Sequence, residues 1–136
     1  MTPSAEVRDL ILRAYDVLTT GEGNPEEIFA DDEGVLAIGS DPEEWWVGNE
    51  RIAGVFRAQG EALRGSRVEN SDPVAYAAGD VGWVADRPTM VMLDGTPVSF
   101  RITATAVRTR GTWRFVQWHG SVPVPNEEVV GSDLPT

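Results

Sequence analysis

Cysteine and lysine are both absent from this chain of 136 residues, and histidine occurs once. Without cysteine there is no disulfide, no thiolate metal site and no cysteine nucleophile. Without lysine there is no Schiff-base mechanism, and all 11 basic residues are arginine. A single histidine also excludes a metal centre built from two or three histidines of one chain. The sequence therefore predicts neither a metal site nor a cofactor.

Long apolar runs are missing as well. No segment approaches the ~20 apolar residues that a membrane span requires, and the N-terminus lacks the basic and apolar pattern of a secretory signal. Together with the absence of cysteine, this predicts a cytoplasmic protein. The 22 acidic residues give a net charge of −11, which argues against nucleic acid and anionic membrane surfaces as partners.

The length fits one domain, and the hydrophobic pattern places helices before strands. Helical spacing, capping residues and glycine stops predict three helices: between Ser4 and Gly21, from Pro25 to about Ala30, and from about Asn49 to Gly65. A short strand at Val35–Ile38 precedes the third helix.

The pattern then changes to a period of two, which predicts four long strands at about 67–78, 81–93, 96–109 and 112–123. Pro88 cannot donate a ladder hydrogen bond, so we expect a bulge or a sheet edge there. Helices followed by an antiparallel meander predict a single α+β domain over 1–136, with a loosely ordered tail from about 124. A curved sheet folded over helices leaves a pocket at its open end.

Four segments carry a resemblance to a known family: 15–21, 28–32, 38–48 and 111–121. They resemble the SnoaL-like branch of the superfamily that contains ketosteroid isomerase, scytalone dehydratase and the nuclear transport factor 2 fold. The resemblance covers about residues 5 to 125. It implies a cone-shaped barrel, formed by a curved and mainly antiparallel sheet over three N-terminal helices, and a homodimer formed through the sheet face.

Steroid isomerases of this superfamily use an aspartate base with a tyrosine and a protonated aspartic acid as donors. The resemblance puts Ala37 at the base position and Thr103 at the acidic donor position, with Tyr15 one residue from the tyrosine. We therefore do not expect steroid isomerase activity. Asp41 could replace the base if its loop folds inward, but an Asp-Pro pair is more often a turn, and the turn interpretation is favoured.

Dehydratase chemistry in this superfamily uses a histidine and an aspartate, and only His119 is available. Strand alternation turns Val116, Trp118 and Gly120 toward the pocket and Phe115, Gln117 and His119 away from it, unless a bulge reverses the assignment. His119 is thus a candidate proton shuttle or, as the alternation favours, a residue of a subunit contact.

Aromatic residues are the main candidates for the pocket walls. Trp45, Trp46, Trp83 and Trp118, with Phe56, could bind a flat apolar ligand or fill the core. Arg101 and Thr103 share a strand face, so Arg101 could anchor a carboxylate or phenolate if that face lines the pocket, or form a surface ion pair if it does not. Paired acids such as Glu43-Glu44 are interpreted as solvated surface.

Two functional classes remain. The first is a cofactor-free pocket enzyme, an isomerase, dehydratase, cyclase or hydrolase, that acts on a small apolar substrate through Tyr15, Asp41, Arg101 or His119. The second is a non-catalytic module that binds a ligand or dimerises, with Trp113 and Phe115 on the contact face. Two titratable side chains that converge on one enclosed point would favour the enzyme.

Overall fold

The computed structural model describes residues 1–136 as ten strands, three α-helices and one short 3-10 helix. The helices are α1 (Ala5–Thr20), the 3-10 helix (Pro25–Glu27), α2 (Asn49–Ala62) and α3 (Asn126–Val130). The strands are β1 (Thr2–Pro3), β2 (Leu36–Ile38), β3 (Trp45–Val47), β4 (Arg67–Glu69), β5 (Val74–Ala78), β6 (Val81–Asp86), β7 (Thr89–Val91), β8 (Pro97–Ser99), β9 (Arg101–Thr109) and β10 (Thr112–Ser121). The predicted α+β class is confirmed.

Helix α1 has the limits that its capping residues predict. The Ser4 side chain accepts a hydrogen bond from the Val7 N–H at 3.3 Å, and so satisfies a backbone donor that the first turn leaves free. At the other end Gly21 adopts a left-handed conformation with φ 68°, and its N–H donates to the Val17 carbonyl at 3.1 Å. Its apolar stripe lies buried against the sheet.

The second helix is shorter than the sequence predicts. It is a single 3-10 turn, and the backbone after it pairs with β10 instead of continuing as a helix. The Ala30 N–H donates to the Phe115 carbonyl and the Phe115 N–H donates to the Ile28 carbonyl, both at 2.9 Å. These two bonds satisfy the groups that a longer helix would have used internally.

Seven strands form the large sheet in the order β1-β5-β6-β9-β10-β2-β3, where only the β10–β2 pair is parallel. A second sheet has the order β4-β7-β8. Three of the four long predicted strands are therefore interrupted, and their separated ends form the small sheet. One interruption is at Arg87-Pro88, as expected from a residue without an N–H, and the Pro88 carbonyl accepts from Phe100 at 3.0 Å.

Strand β10 contains a bulge, seen as a register shift against β9 between Phe115 and Gln117. Trp113 and Phe115 are buried before it, while Trp118 and Gly120 are buried after it. The prediction that Trp113 and Phe115 lie on the outer sheet face is thus wrong, because the extra residue changes the phase of the alternation. His119 points outward, as the alternation after the bulge requires.

The inner face of the large sheet packs against α1 and α2, and this interface is the hydrophobic core. Helix α3 buries no residue. None of the helices combines the length and apolar composition that crossing a membrane requires.

Candidate functional site

A cavity of about 400 Å³ lies where α1 and α2 meet the end of the large sheet, and the small sheet covers it. Of its 19 lining residues 13 are hydrophobic, which makes it the apolar concavity expected of a small-molecule site. The residues from the helices are Tyr15, Leu18, Phe56, Gln59 and Ala62, joined by Leu63 just after α2. The remaining wall includes Gly39, Ser40, Glu44, Trp46, Val68, Pro88, Met90, Met92, Val98, Phe100, Ile102, Trp118 and Gly120.

One wall of the cavity is aromatic. Phe56 and Trp118 meet edge to face with ring centroids 5.4 Å apart, and Phe29 supports Phe56 from behind at 4.9 Å. Another part of the lining is formed by Met90 and Met92 from the region of the small sheet. Methionine adapts its shape easily, so this arrangement combines a rigid flat wall with a compliant one.

Tyr15 contributes a buried hydroxyl group to the lining. Its O–H donates to Asp86 Oδ2 at 2.8 Å, and Asp86 is itself buried. The same carboxylate accepts from the Ser71 hydroxyl at 2.7 Å and from the backbone N–H groups of Asp72 and Arg87. Burial raises the pKa of Tyr15 well above its usual value, and the hydrogen bond to Asp86 raises it further. Tyr15 therefore remains a protonated phenol whose proton is directed at Asp86.

Glu44 is the only charged residue of the cavity lining. Its carboxylate accepts from the Asp41 N–H at 3.0 Å and, more weakly, from the Gln59 amide at 3.4 Å. A side chain on Gly39 would collide with this carboxylate, so the glycine leaves room for Glu44 to fold over the strand. The loop thus holds one half-buried acid at the cavity wall.

Residues 7–125 match the family model of the SnoaL-like domain. The chain belongs to the SnoaL-like family. The structure of this SnoaL-like protein is similar to an NTF2-like protein of unknown function from Pseudomonas putida, with a TM-score of 0.71 and 19% identity over 91% of this chain and 89% of that one. A protein with a cystatin-like fold from Caulobacter vibrioides also gives 0.71, with 20% identity and coverage of 91% and 92%.

A proposed ketosteroid isomerase from Parabacteroides distasonis gives a TM-score of 0.68, with 17% identity over 88% of this chain and 86% of that one. A comparison with curated proteins finds no match. At these identities the likeness of the solved structures establishes the fold that the SnoaL-like protein shares with them.

Four of the residues that the sequence predicts for the site line the cavity of the SnoaL-like protein: Tyr15, Trp46, Phe56 and Trp118. Asp41 does not. It is exposed, and its Oδ1 accepts from the Glu43 N–H at 3.1 Å, which is the turn geometry that the alternative interpretation of Asp-Pro describes. Its loop directs Glu44 to the cavity instead.

The other predicted site residues lie outside the cavity lining, on the outer face of the large sheet: Trp45, Trp83, Arg101, Thr103 and His119. Strand alternation is the reason, because each neighbours an inward residue such as Trp46, Ile102 or Trp118. Trp45 is 63% exposed, and His119 pairs across the strands with Thr103 and Ile38. Arg101 is thus not in position to anchor a ligand within the cavity.

Sequence reasoning missed Glu44 and Asp86, although both carry a signal. Asp86 continues the inward positions of β6 after Val84, so an acid there is a buried polar group that needs partners. Glu44 precedes the inward Trp46 by two positions and therefore shares its face. Each acid lies within one residue of an apolar run and continues its alternation, and that is the signal in the sequence.

Proposed function

We propose that this protein binds a small, mainly apolar molecule in the cavity between the helices and the two sheets. The observation that carries the proposal is the cavity itself: about 400 Å³, with 13 hydrophobic residues among 19. Moving apolar ligand surface out of water is favourable by about 25 cal/mol per Å², and the wall of Trp46, Phe56 and Trp118 offers such contact. Membership of the SnoaL-like family is consistent with a pocket protein.

Cofactor-free catalysis is the second candidate, as an isomerase, dehydratase, cyclase or hydrolase. It is favoured by the presence of two titratable side chains, Tyr15 and Glu44, in the lining of one cavity. Glu44 would be the base, since a carboxylate can accept a substrate proton. The alternative, a binding module without catalysis, uses the same cavity.

Tryptophan fluorescence tests the binding proposal, because Trp46 and Trp118 line the cavity. We expect saturable changes with 1-octanol as a simple apolar probe. Val98→Phe places a larger side chain in the lining and should weaken binding by about tenfold or more. Ser99→Phe adds the same ring at an exposed neighbour outside the lining and should bind like the unaltered protein. Equal binding by both variants would contradict the proposal.

We also propose that the outer face of the large sheet forms a homodimer. Two rows of paired residues cross this face without an acidic side chain: Tyr76, Trp83, Thr105, Gln117, Leu36 and Val47; and Val74, Ala85, Thr103, His119, Ile38 and Trp45. None of these residues is buried, and Trp83 stacks on Tyr76 at 5.4 Å. On a chain of net charge −11, a face without acidic side chains is where a second copy meets least repulsion.

A further inference from the structure

The charge of the cavity wall is one-sided. Its lining contains the carboxylate of Glu44 and no arginine or histidine, while the chain has no lysine at all. The 11 arginines lie elsewhere, including Arg101 on the outer sheet face. An anionic ligand would therefore meet an acid without a compensating cation, in surroundings where charges are poorly screened.

Two neutral side chains of the lining also offer acceptor oxygens to a ligand. Tyr15 directs its only proton to Asp86 Oδ2, and that carboxylate is fixed by three further donors, so Tyr15 can offer a ligand only an oxygen lone pair. One N–H of the Gln59 amide points to Glu44, and the carbonyl oxygen of the same amide is free to accept. Glu44, Tyr15 and Gln59 can each accept a hydrogen bond from a donor on the ligand, whereas the donors of the lining, such as the Ser40 hydroxyl, carry no charge.

Aromatic rings adjoin this acceptor set. Trp46 is two residues from Glu44, on the same side of the chain, and both line the cavity with Trp118. The face of an indole ring attracts cations, most strongly where water is excluded. A cation in this cavity would thus meet both a carboxylate and indole rings.

We propose that the preferred ligand of the cavity is an apolar molecule carrying a protonated amine, with the ammonium group at Glu44 and the hydrocarbon part against the aromatic wall. The proposal rests on the function proposed above and specifies the chemical class of its ligand. The net charge of −11 acts in the same direction, because it raises the concentration of cations near the protein.

Three probes with one hydrocarbon chain test this: octylamine, 1-octanol and octanoate, titrated at pH 7 in 150 mM salt and followed by tryptophan fluorescence and calorimetry. A charge-assisted hydrogen bond should make octylamine bind about tenfold tighter than octanol. Octanoate should bind more weakly than octanol, because nothing in the lining neutralises its charge. If octylamine bound no more tightly than octanol, the proposal would be overturned.

Two matched variants separate the cavity carboxylate from the overall charge. Glu44→Gln should reduce the preference for octylamine over octanol to within about threefold, and its circular dichroism spectrum and urea unfolding show whether the variant is folded. Glu43→Gln makes the same change in net charge at an exposed neighbour outside the lining and should keep the preference. An equal loss in both variants would attribute the preference to general charge and overturn the proposal.

Failure of the amine preference and failure of the binding function give different results. If no probe binds, the cavity is not a site for small apolar molecules, and the binding function falls with the amine preference. If octanol binds and Val98→Phe weakens its binding, but octylamine binds no tighter than octanol, only the proposed ligand class is wrong.

Discussion

At the scale of single residues, the hydrogen bond between Tyr15 and Asp86 joins positions 71 residues apart in the chain. Both groups are buried, and the Tyr15 hydroxyl is one of the four donors to the Asp86 carboxylate. Tyr15→Phe removes the donor, so we expect the free energy of unfolding at pH 7 to fall by about 1.5–3 kcal/mol, as for hydrogen bonds to charged groups. Urea unfolding measures this.

The same pair predicts an alkaline pH dependence. The pKa of Tyr15 is raised in the folded protein above the unfolded value of 10.0, so the folded state binds the proton more tightly. Stability from this group is complete below pH 10 and falls above it, by about 1.4 kcal/mol per pH unit. The chain has no lysine or cysteine to titrate in this range.

The stability gap between the native protein and Tyr15→Phe should therefore narrow above pH 10. Tyr76→Phe removes a hydroxyl from the outer sheet face, where it bonds no carboxylate, and serves as the control. A gap that stays constant from pH 8 to pH 11.5 would contradict the raised pKa.

At the scale of elements, α1 and α2 cross at Gly60. A side chain there would collide with the Val17 carbonyl oxygen and come within 3.2 Å of Gly21 Cα, and both of these are backbone atoms. We expect Gly60→Ala to cost about 1–3 kcal/mol of stability, although alanine is the better helix former. Gln59 and Leu63 line the cavity from this part of the chain, so ligand binding should weaken too.

Gly54 provides the control within the same helix. A Cβ there meets nothing within 4 Å, so Gly54→Ala should stabilise the protein by about 0.5–1 kcal/mol through helix propensity alone. Thermal unfolding of both variants distinguishes close packing from propensity. If both substitutions changed the stability in the same direction, close packing at Gly60 would not determine how the two helices cross.

The sequence predicted individual helices and strands better than the way in which the strands pair into sheets. The limits of α1 follow from Ser4 and Gly21, which act on neighbouring backbone groups. The small sheet was not predicted, because Pro88 indicates where a strand breaks but not where its second half pairs. The bulge in β10 stayed an open alternative in the sequence, because Trp113, Phe115 and Trp118 fit two phases of the alternation.

The candidate site was predicted where burial and function require the same residue type. Trp46, Phe56 and Trp118 are large and apolar, so the pattern that makes them core also makes them cavity wall. Polar groups carry no such pattern. Glu44 was hidden in an acid pair, and Asp86 depends on donors at Tyr15 and Ser71 that only the folded chain brings together.

At the scale of the whole molecule, the outer sheet face determines the expected assembly. We expect a dimer in light scattering, and we expect Trp83→Glu, near the middle of that face, to yield monomers by burying a charge in the contact. Val129→Glu makes the same charge change on α3, where Val129 is 69% exposed, and should remain dimeric. A native chain that stays monomeric at high concentration would refute this assembly.

The bulge in β10 also affects how this chain can be compared with its relatives. A relative without the extra residue corresponds to this chain up to Phe115 and again from Gln117, with a one-residue gap between the two blocks. An ungapped alignment would equate Trp118, a wall residue, with a position on the outer face of such a relative. Residues of this strand must therefore be aligned in two separate blocks, one before and one after the bulge. Conservation at Trp118 or His119 can be judged only in an alignment of the block after the bulge.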